Sequence, residues 1–195
     1  MRINAKHLNI HLHAAPPFMA GAVLKSLIEP PAGAALNSLT LPRIGEVWDE
    51  QRGVFLGVMP GAQGERDYAL IRPIHKGADL GLRAWGERGK DVPGANSNTD
   101  GLANTTAMAV AGNGLAKDVL EMEVDGMSGL YIPARHEARM GYLFAPDRFD
   151  KSRWTWTSTQ HSANVAWMQV FDGGNQYTNF KVDEFAVSLV RRLVL

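Results

Sequence analysis

The amino-acid sequence predicts an α+β fold built on a twisted antiparallel sheet, and three observations lead to this class. A pattern typical of a β-hairpin comes first, helical patterns follow it, and further hairpin patterns with an apolar strand close the chain. Separate groups of strands and helices favour α+β over alternating βαβ units. The length of 195 residues fits one domain with a short appendage, since domains typically have roughly 100–200 residues.

Charge and composition exclude several classes of protein. The 20 Lys and Arg residues balance 20 Asp and Glu residues, so nucleic acid and anionic membrane surfaces are not expected partners, because phosphate contacts need clustered basic residues. No segment approaches the ~20 apolar residues of a membrane span. The chain has no cysteine, which excludes disulfides, thiolate metal sites and a cysteine nucleophile. His7, His11 and His13 replace an apolar signal-peptide core, so we expect synthesis without a signal peptide.

Residues 1–41 are predicted to form an extended N-terminal arm, and residues 42–195 the folded domain. Leu8, Ile10 and Leu12 alternate with polar residues, a pattern typical of one strand. One strand cannot bury these side chains by itself, so we expect the arm to pack on another subunit or another protein. A leader without a partner is the alternative.

The domain begins with a predicted hairpin of residues 53–59 and 67–72, because turn glycines separate the two apolar runs. Residues 76–100 follow and are rich in glycine, asparagine and aspartate. We expect them to form a connection around Trp85 that is too polar to supply a core element.

Two or three short helices are predicted next. Asp100 is suited to be an N-cap, because its carboxylate accepts hydrogen bonds from free backbone N–H groups. Leu115, Val119 and Met122 have helical spacing, and Pro133 is tolerated where a helix opens. The predicted helices cover residues 102–111, 115–122 and 134–144.

The last part of the chain has the pattern of strands. Trp154 and Trp156 alternate with hydroxyl residues, and the chain ends in a long apolar run. The predicted strands cover residues 154–159, 165–171, 176–181 and 185–194, with a turn at residues 172–175.

Candidate catalytic residues have simpler structural interpretations. His11 and His13 would lie on one face of a strand, but no third ligand is near, as a catalytic metal requires. Arg135, His136 and Glu137 open a helix, where a glutamate also suits the helix dipole. We therefore predict no catalytic residue and no metal ligand.

A calcium loop is a weaker interpretation of residues 96–101. Asn96, Asn98 and Asp100 supply oxygen ligands at alternate positions before Gly101, but Ala107 stands where such a loop needs glutamate. A turn followed by a helix cap explains the same residues.

A recognition surface is predicted from the aromatic and amide residues that follow residue 154. Rigid aromatic rings supply contact area, and short polar groups supply adaptable hydrogen bonds. At least one of Trp154 and Trp156 is expected in the core, and the polar set is nearly uncharged, unlike an ordinary solvated face. The predicted ligand-binding residues are Trp156, Gln160, His161, Ser162, Asn164, Trp167, Gln169, Asn175, Gln176, Tyr177 and Asn179. Residues expected to matter for stability instead are Pro133, Arg135, Trp156 and Val190.

Six short motifs occur in order along residues 44–192. The most specific are residues 131–137 (Tyr-Ile-Pro-Ala-Arg-His-Glu) and 156–159 (Trp-Thr-Ser-Thr), and the others are residues 44–48 with 53–57, 100–105, 166–167 and 186–191. Together they resemble the C-type-lectin-like fold. The resemblance is closest to its bacterial and phage branch, related to formylglycine-generating enzymes and phage tropism determinants.

This resemblance implies a function. It implies that the first and last strands pair and that a ligand binds the face after the Trp-Thr-Ser-Thr strand. Phage members of this kind are tail-fibre or receptor-binding proteins, which implies a virion location, a host receptor (protein or glycan), other virion proteins as partners of the arm, and a homotrimer. A structural virion or assembly component is the first alternative.

The enzyme branch is the second alternative. Formylglycine-generating enzymes bind copper through a pair of cysteines, which this chain lacks, and iron-dependent relatives need a histidine and carboxylate triad. We therefore predict a non-enzymatic protein without a cofactor, and keep an oxidase with altered chemistry as the alternative.

Overall fold

Backbone pairing divides the strands into two groups in the part of the chain that the computed structural model describes, residues 40–62 and 64–195. The strands in chain order are β1 (Val47–Trp48), β2 (Gly53–Met59), β3 (Tyr68–Pro73), β4 (Asp79–Ala84), β5 (Leu130–Tyr131), β6 (Trp154–Gln160), β7 (Val165–Val170), β8 (Gln176–Phe180), β9 (Glu184–Ser188) and β10 (Val190–Val194). One five-stranded sheet has the order β1-β2-β3-β10-β5, and the other the order β4-β9-β6-β7-β8.

Most neighbouring strands run antiparallel, while β6 and β9 meet in a short parallel pairing at Thr155 and Ala186. Together with the helices, this confirms the predicted α+β class. The single sheet of the prediction is replaced by two. The strand pattern of residues 8–12 and the pair His11 and His13 lie outside the described residues.

All three predicted helices are confirmed to within a residue. They are α1 (Gly101–Val110), α2 (Gly114–Glu121) and α3 (Arg135–Phe144). Asp100 caps α1 as predicted, since its Oδ1 accepts from the backbone N–H of Ala103 at 2.9 Å. Pro133 precedes Ala134, the N-cap of α3, and does not lie in the helix. Within the described residues, no helix has the length and apolar character that crossing a membrane would need.

The connection predicted for residues 76–100 contains a strand, β4, which pairs with β9. The prediction failed because β4 lies at the edge of its sheet, where polar and exposed side chains are tolerated while the backbone still pairs. Trp85, which directly follows β4, is fully buried, and its Nε1 donates to the carbonyl of Thr157 at 2.8 Å.

The apolar run predicted as one terminal strand is two strands in different sheets. β9 ends at Ser188, the buried residue Leu189 follows, and β10 begins at Val190 in the other sheet. Within the described residues β10 pairs with β3 and β5 and not with β1, so the implied pairing of first and last strands is not found there.

Helix α3 is held between strands of both sheets, since it packs against β2, β6 and β7. Gly141 allows its close approach to the core, because a Cβ at this position would lie 2.7 Å from the ring of Phe149. Phe149 in turn stacks on Phe171 with ring centroids 4.0 Å apart. This packing fixes the position of the first turn of α3, where the candidate site begins.

Candidate functional site

Arg135 and Glu137, in the first turn of α3, enter two different polar networks. Arg135 reaches toward β7 and β8 and is half-buried, whereas Glu137 is fully buried. Backbone N–H groups at this helix start already have partners, because Arg135 N donates to Thr159 Oγ1 (3.0 Å) and His136 N to the carbonyl of Asn98 (2.8 Å). The chemistry available here therefore belongs to side chains.

The guanidinium of Arg135 lies over the indole of Trp167, with Cζ 3.7 Å from the ring centroid. The ring of His161 lies 5.3 Å from the same indole and is tilted by 44°. A guanidinium over the negative face of an indole is attracted to it while the edge of its plane stays open for hydrogen bonds. Trp167 is half-buried and His161 is exposed, so solvent reaches this arrangement.

Gln176 fixes the position of Arg135. Its Oε1 accepts from Arg135 Nε (2.8 Å), and its Nε2 donates to the carbonyl of Arg135 (2.8 Å) and to Gln169 Oε1 (2.9 Å). Gln169 Nε2 donates to the carbonyls of Val170 (2.8 Å) and Asn175 (3.3 Å). Both amides are thus largely satisfied by the protein. We call the set Arg135, His161, Trp167, Gln169 and Gln176 the outer cluster.

The register of β7 and β8 places the outer cluster on one face of the sheet. Gln169 is opposite Gln176, and Trp167 is opposite Thr178. Since alternate residues of a strand point to opposite faces, Trp167, Gln169 and Gln176 share a face. Tyr177 lies on the other.

Two of the predicted contact residues are inaccessible to a ligand. Trp156 is 0% exposed and its Nε1 donates to the carbonyl of Arg83 at 3.0 Å. Gln169 is also 0% exposed. Trp156 belongs to the core of the sheet, and Gln169 acts in the outer cluster only through Gln176, so neither presents a surface.

The polar groups of two other predicted residues, Gln160 and Asn179, form hydrogen bonds within the protein. Gln160 Oε1 accepts from the backbone N–H of Val92 (2.9 Å) and from Lys181 Nζ (2.5 Å). Asn179 Oδ1 accepts from the backbone N–H of Phe180 at 2.8 Å. The predicted residues Ser162, Asn164 and Asn175 are exposed near the ends of β7 and β8, as is His161.

A second exposed aromatic group lies on the opposite face of the same sheet. Tyr177 is 49% exposed and Trp154 is 44% exposed, with ring centroids 6.2 Å apart. Phe185 lies 5.8 Å from Trp154. The single aromatic and amide surface of the prediction is therefore divided between two faces.

Sequence reasoning missed part of the outer cluster and its surroundings. The sequence predicts a structural role for Arg135, because its helix-opening motif carries no sign of a distant tryptophan. Arg88 and Phe180 are not among the predicted site residues, although the Arg88 guanidinium lies 4.1 Å from the Phe180 ring centroid. These contacts join separate parts of the chain, and no local pattern indicates them.

Glu137 is the centre of the second, buried network. Its Oε1 accepts from the hydroxyls of Tyr68 (2.7 Å) and Tyr131 (2.8 Å), and its Oε2 accepts from the N–H groups of Gly101 (3.1 Å) and Ala134 (2.7 Å). Only glycine fits at position 101, because a Cβ there would lie 2.5 Å from the nitrogen of Ala134. The inner cluster comprises Tyr68, Asp100, Tyr131, Glu137 and Arg192.

Burial favours the protonated form of Glu137. Burial raises the pKa of Glu137 to about 7, against the hydrogen bonds from Ala134, Tyr68 and Tyr131, which lower it. The hydrogen bonds can be completed in this state. Tyr68 has one hydroxyl hydrogen but two acceptors within reach, the carbonyl of Thr99 at 2.9 Å and Glu137 Oε1 at 2.7 Å. A proton on Oε1 is donated to the Tyr68 oxygen, and Tyr68 then donates to Thr99.

The side chain of Asp100 has a structural role. One oxygen, Oδ1, caps α1 and also lies 3.3 Å from Arg192 Nη1. The predicted helix cap at Asp100 is therefore present. In residues 40–62 and 64–195, histidine and carboxylate side chains do not gather in the groups of three that a metal site would need.

The comparisons with known proteins leave the site to be interpreted from its geometry. No model of a known protein family matches the chain, and no curated protein matches its sequence. The resemblance to C-type-lectin-like domains thus depends on the motifs in residues 44–192.

Proposed function

We propose that this protein is a non-enzymatic recognition protein of the phage type, a tail-fibre or receptor-binding protein with a C-type-lectin-like domain. Its ligand is a host surface receptor, and the binding face is the one that carries the outer cluster. The observation that carries this proposal is the stacking of Arg135 on Trp167 at 3.7 Å on a solvent-accessible face.

The hydrogen bonds of the outer cluster support recognition rather than catalysis. Binding costs less free energy when contact residues are ordered beforehand, because their freedom need not be lost on association. Gln176 holds Arg135 through two hydrogen bonds of 2.8 Å. Tryptophan and arginine are also the residue types that most often dominate binding energy when they lie at the centre of an interface.

A matched pair of variants tests the binding face. Trp167→Ala and Trp154→Ala each remove a partly exposed indole, and the two indoles lie on opposite faces of one sheet. Labelled full-length protein is measured for binding to a panel of bacterial cells. We expect Trp167→Ala to weaken binding at least about tenfold, the effect of an interface residue contributing more than 1.4 kcal/mol, and Trp154→Ala to change it less than about twofold.

The same measurement separates the alternatives. A loss confined to Trp154→Ala would move the ligand to the face of Trp154 and Tyr177. Equal binding by both folded variants, or no binding to any cell, would favour a structural virion component without a receptor. Folding of each variant is checked by circular dichroism and thermal unfolding.

The oxidase alternative makes a separate prediction. A copper or iron oxidase would carry about one tightly bound redox metal per chain, as metal-ion catalysis requires. Elemental analysis of the purified full-length protein measures this, and we expect no stoichiometric copper or iron. One such metal per chain would favour the oxidase.

We also propose that residues 1–41 join the domain to a homotrimer and to other virion proteins. The described unit Leu41–Leu195 is compact by itself, which makes a truncated chain of residues 42–195 a practical comparison. Light scattering should give a trimer mass for the full chain and a monomer mass for the truncated one. Equal oligomeric states would show that the arm does not mediate assembly.

A further inference from the structure

We propose that the outer cluster binds an acidic glycan, with Arg135 donating to a carboxylate or phosphate group of the sugar chain. This inference rests on the proposed recognition function and adds the chemical class of the ligand. It follows from the hydrogen-bonding state of Arg135, from a second stacked arginine on the same face, and from the chemistry of the neighbouring side chains.

Arg135 has unused donors that point to an anion. Its Nε donates to Gln176, while its two terminal nitrogens have no hydrogen-bond partner among residues 40–62 and 64–195. Trp167 covers one face of the guanidinium, so the free nitrogens are presented at the edge of the plane. Two parallel N–H donors match the two oxygens of a carboxylate or phosphate.

The local charge favours the same ligand. No carboxylate forms an ion pair with Arg135 within the described residues, whereas such pairs occupy Lys90, Lys151 and Arg153 elsewhere. Arg139 follows Arg135 one helical turn later and donates to the carbonyl of Gly174 beside β8. A bound acid would therefore meet positive charge without displacing an existing carboxylate.

A second arginine extends the site along the sheet. Phe180 is opposite Val165, and Trp167 is opposite Thr178, so Phe180 and Trp167 lie on one face as diagonal neighbours about 7–8 Å apart. Arg88 lies over Phe180 with its Cζ 4.1 Å from the ring centroid. Two stacked guanidinium groups on one face fit a polymer that carries repeated acidic groups.

The neighbouring polar groups favour a glycan over other polyanions. Thr178 and His161 beside Trp167 supply groups that donate and accept, which matches sugar hydroxyls. Nucleic acid would need a larger cluster of basic residues, and the whole chain carries no net charge.

The test uses the full-length protein and three immobilised polymers in biolayer interferometry. Polygalacturonate presents carboxylates, poly(glycerol phosphate) teichoic acid presents phosphates, and dextran is neutral. We expect at least one acidic polymer to bind and dextran to bind at least tenfold more weakly. The two acidic polymers distinguish a carboxylate ligand from a phosphate ligand.

Charge-matched variants identify the residue responsible. Arg135→Gln should weaken binding of the acidic polymer at least tenfold, whereas Arg66→Gln, which removes one exposed charge from the loop before β3, should change it less than twofold. Arg135→Lys should also lose about tenfold, because an ammonium cannot donate from two parallel nitrogens. Thermal unfolding confirms that each variant is folded.

Three results would overturn the inference: binding to none of the polymers, equal binding to dextran, or equal losses in the Arg135 and Arg66 variants. The binding of the same proteins to cells keeps this failure separate from failure of the proposed function. Cell binding that depends on Trp167, without binding to either acidic polymer, would leave recognition standing and reject the acidic glycan. No cell binding at all would contradict the proposed function itself.

Discussion

The inner and outer clusters begin two residues apart on α3, yet they use their polar groups differently. Each oxygen of Glu137 is within 3.1 Å of two donors, and the residue is 0% exposed. Arg135 is also held by hydrogen bonds, but through its Nε and its backbone carbonyl. The oxygens of Glu137 are fully engaged within the protein, whereas the two terminal nitrogens of Arg135 have no hydrogen-bond partner among the described residues.

This difference predicts different effects when the two residues are replaced. A buried carboxylate with satisfied oxygens joins the starts of α1 and α3 to the tyrosines of β3 and β5, so its replacement should affect stability. A fixed arginine at the surface adds less to stability, because solvent screens its charge. Its replacement should affect binding.

The largest effect is expected from Glu137→Ala. Three donors, the Tyr131 hydroxyl and the N–H groups of Gly101 and Ala134, would lose their acceptor in the interior, while Tyr68 keeps the carbonyl of Thr99. Each buried unsatisfied group costs about 1–3 kcal/mol, so we expect a loss of about 4 kcal/mol or more in the free energy of unfolding. Urea unfolding measures it. Glu121→Ala, at the exposed end of α2, is the control and should cost less than about 0.5 kcal/mol. Equal effects would show that the inner cluster does not stabilise the fold.

The pH dependence of stability tests the protonation of Glu137. Burial raises its pKa to about 7 in the folded chain, against an ordinary value of 4.5. Between these values the folded chain keeps a proton that the unfolded chain has released, so the free energy of unfolding should fall as pH rises from about 4.5 to about 7, then level off. The pKa difference corresponds to roughly 3 kcal/mol. Urea unfolding at about pH 5 and about pH 8 measures the decrease.

Glu137→Gln is the control for this decrease. An amide has the shape and charge of the protonated acid, since its oxygen accepts from the N–H groups of Gly101 and Ala134 and its nitrogen donates to the tyrosine oxygens, although the Tyr131 hydroxyl then loses its acceptor. We therefore expect this variant to fold and to lose the pH-dependent step, since the rest of the chain is unchanged. A step of equal size in the variant would assign it to another group, and stability that rises over this interval would show that Glu137 is charged.

A buried and a partly exposed tryptophan are expected to differ by a smaller amount. Trp156→Phe removes a buried hydrogen bond to the carbonyl of Arg83 and leaves a cavity, so we expect a loss of about 2 kcal/mol in the free energy of unfolding. Trp167→Phe keeps a ring beneath Arg135 at a partly exposed position and should cost less than about 1 kcal/mol. Urea unfolding of both variants measures the difference, and equal losses would contradict the assignment of Trp156 to the core and of Trp167 to a solvent-accessible face.

The sequence was informative where structure depends on local patterns. Asp100 and the apolar spacing of α2 predicted helices, and turn glycines predicted the β2 and β3 hairpin, because caps, periodicity and turns act over a few residues. Strand β4 was missed because pairing with the distant β9 holds its polar residues in place. The split between β9 and β10 was missed because an apolar run does not indicate which sheet each half joins.

The site was predicted only in part for the same reason. His161, Trp167 and Gln176 were identified from composition, and the structure places them together. Trp156 has the same residue type and a similar neighbourhood in sequence, but its burial depends on the packing of the whole sheet. The contact of Arg135 with Trp167 joins a helix to a strand far along the chain, so no spacing rule predicts it.

The smallest effect is expected from Asn175→Ala, in the turn between β7 and β8. The backbone carbonyl of Asn175 accepts from Val170 N at 2.9 Å, and alanine preserves this hydrogen bond, while the exposed side chain is lost. The left-handed conformations of the turn belong to Gly173 and Gly174, so alanine introduces no strain at position 175. We expect a change of less than about 0.5 kcal/mol in the free energy of unfolding.

The matched variant Gln169→Ala removes a buried amide that forms hydrogen bonds with Val170, Asn175 and Gln176. It should lower the free energy of unfolding by about 2 kcal/mol. Urea unfolding of the two variants measures this difference. A decrease above about 1 kcal/mol in the free energy of unfolding of Asn175→Ala would show that its side chain, like those of Gln169 and Gln176, helps to fix the position of Arg135.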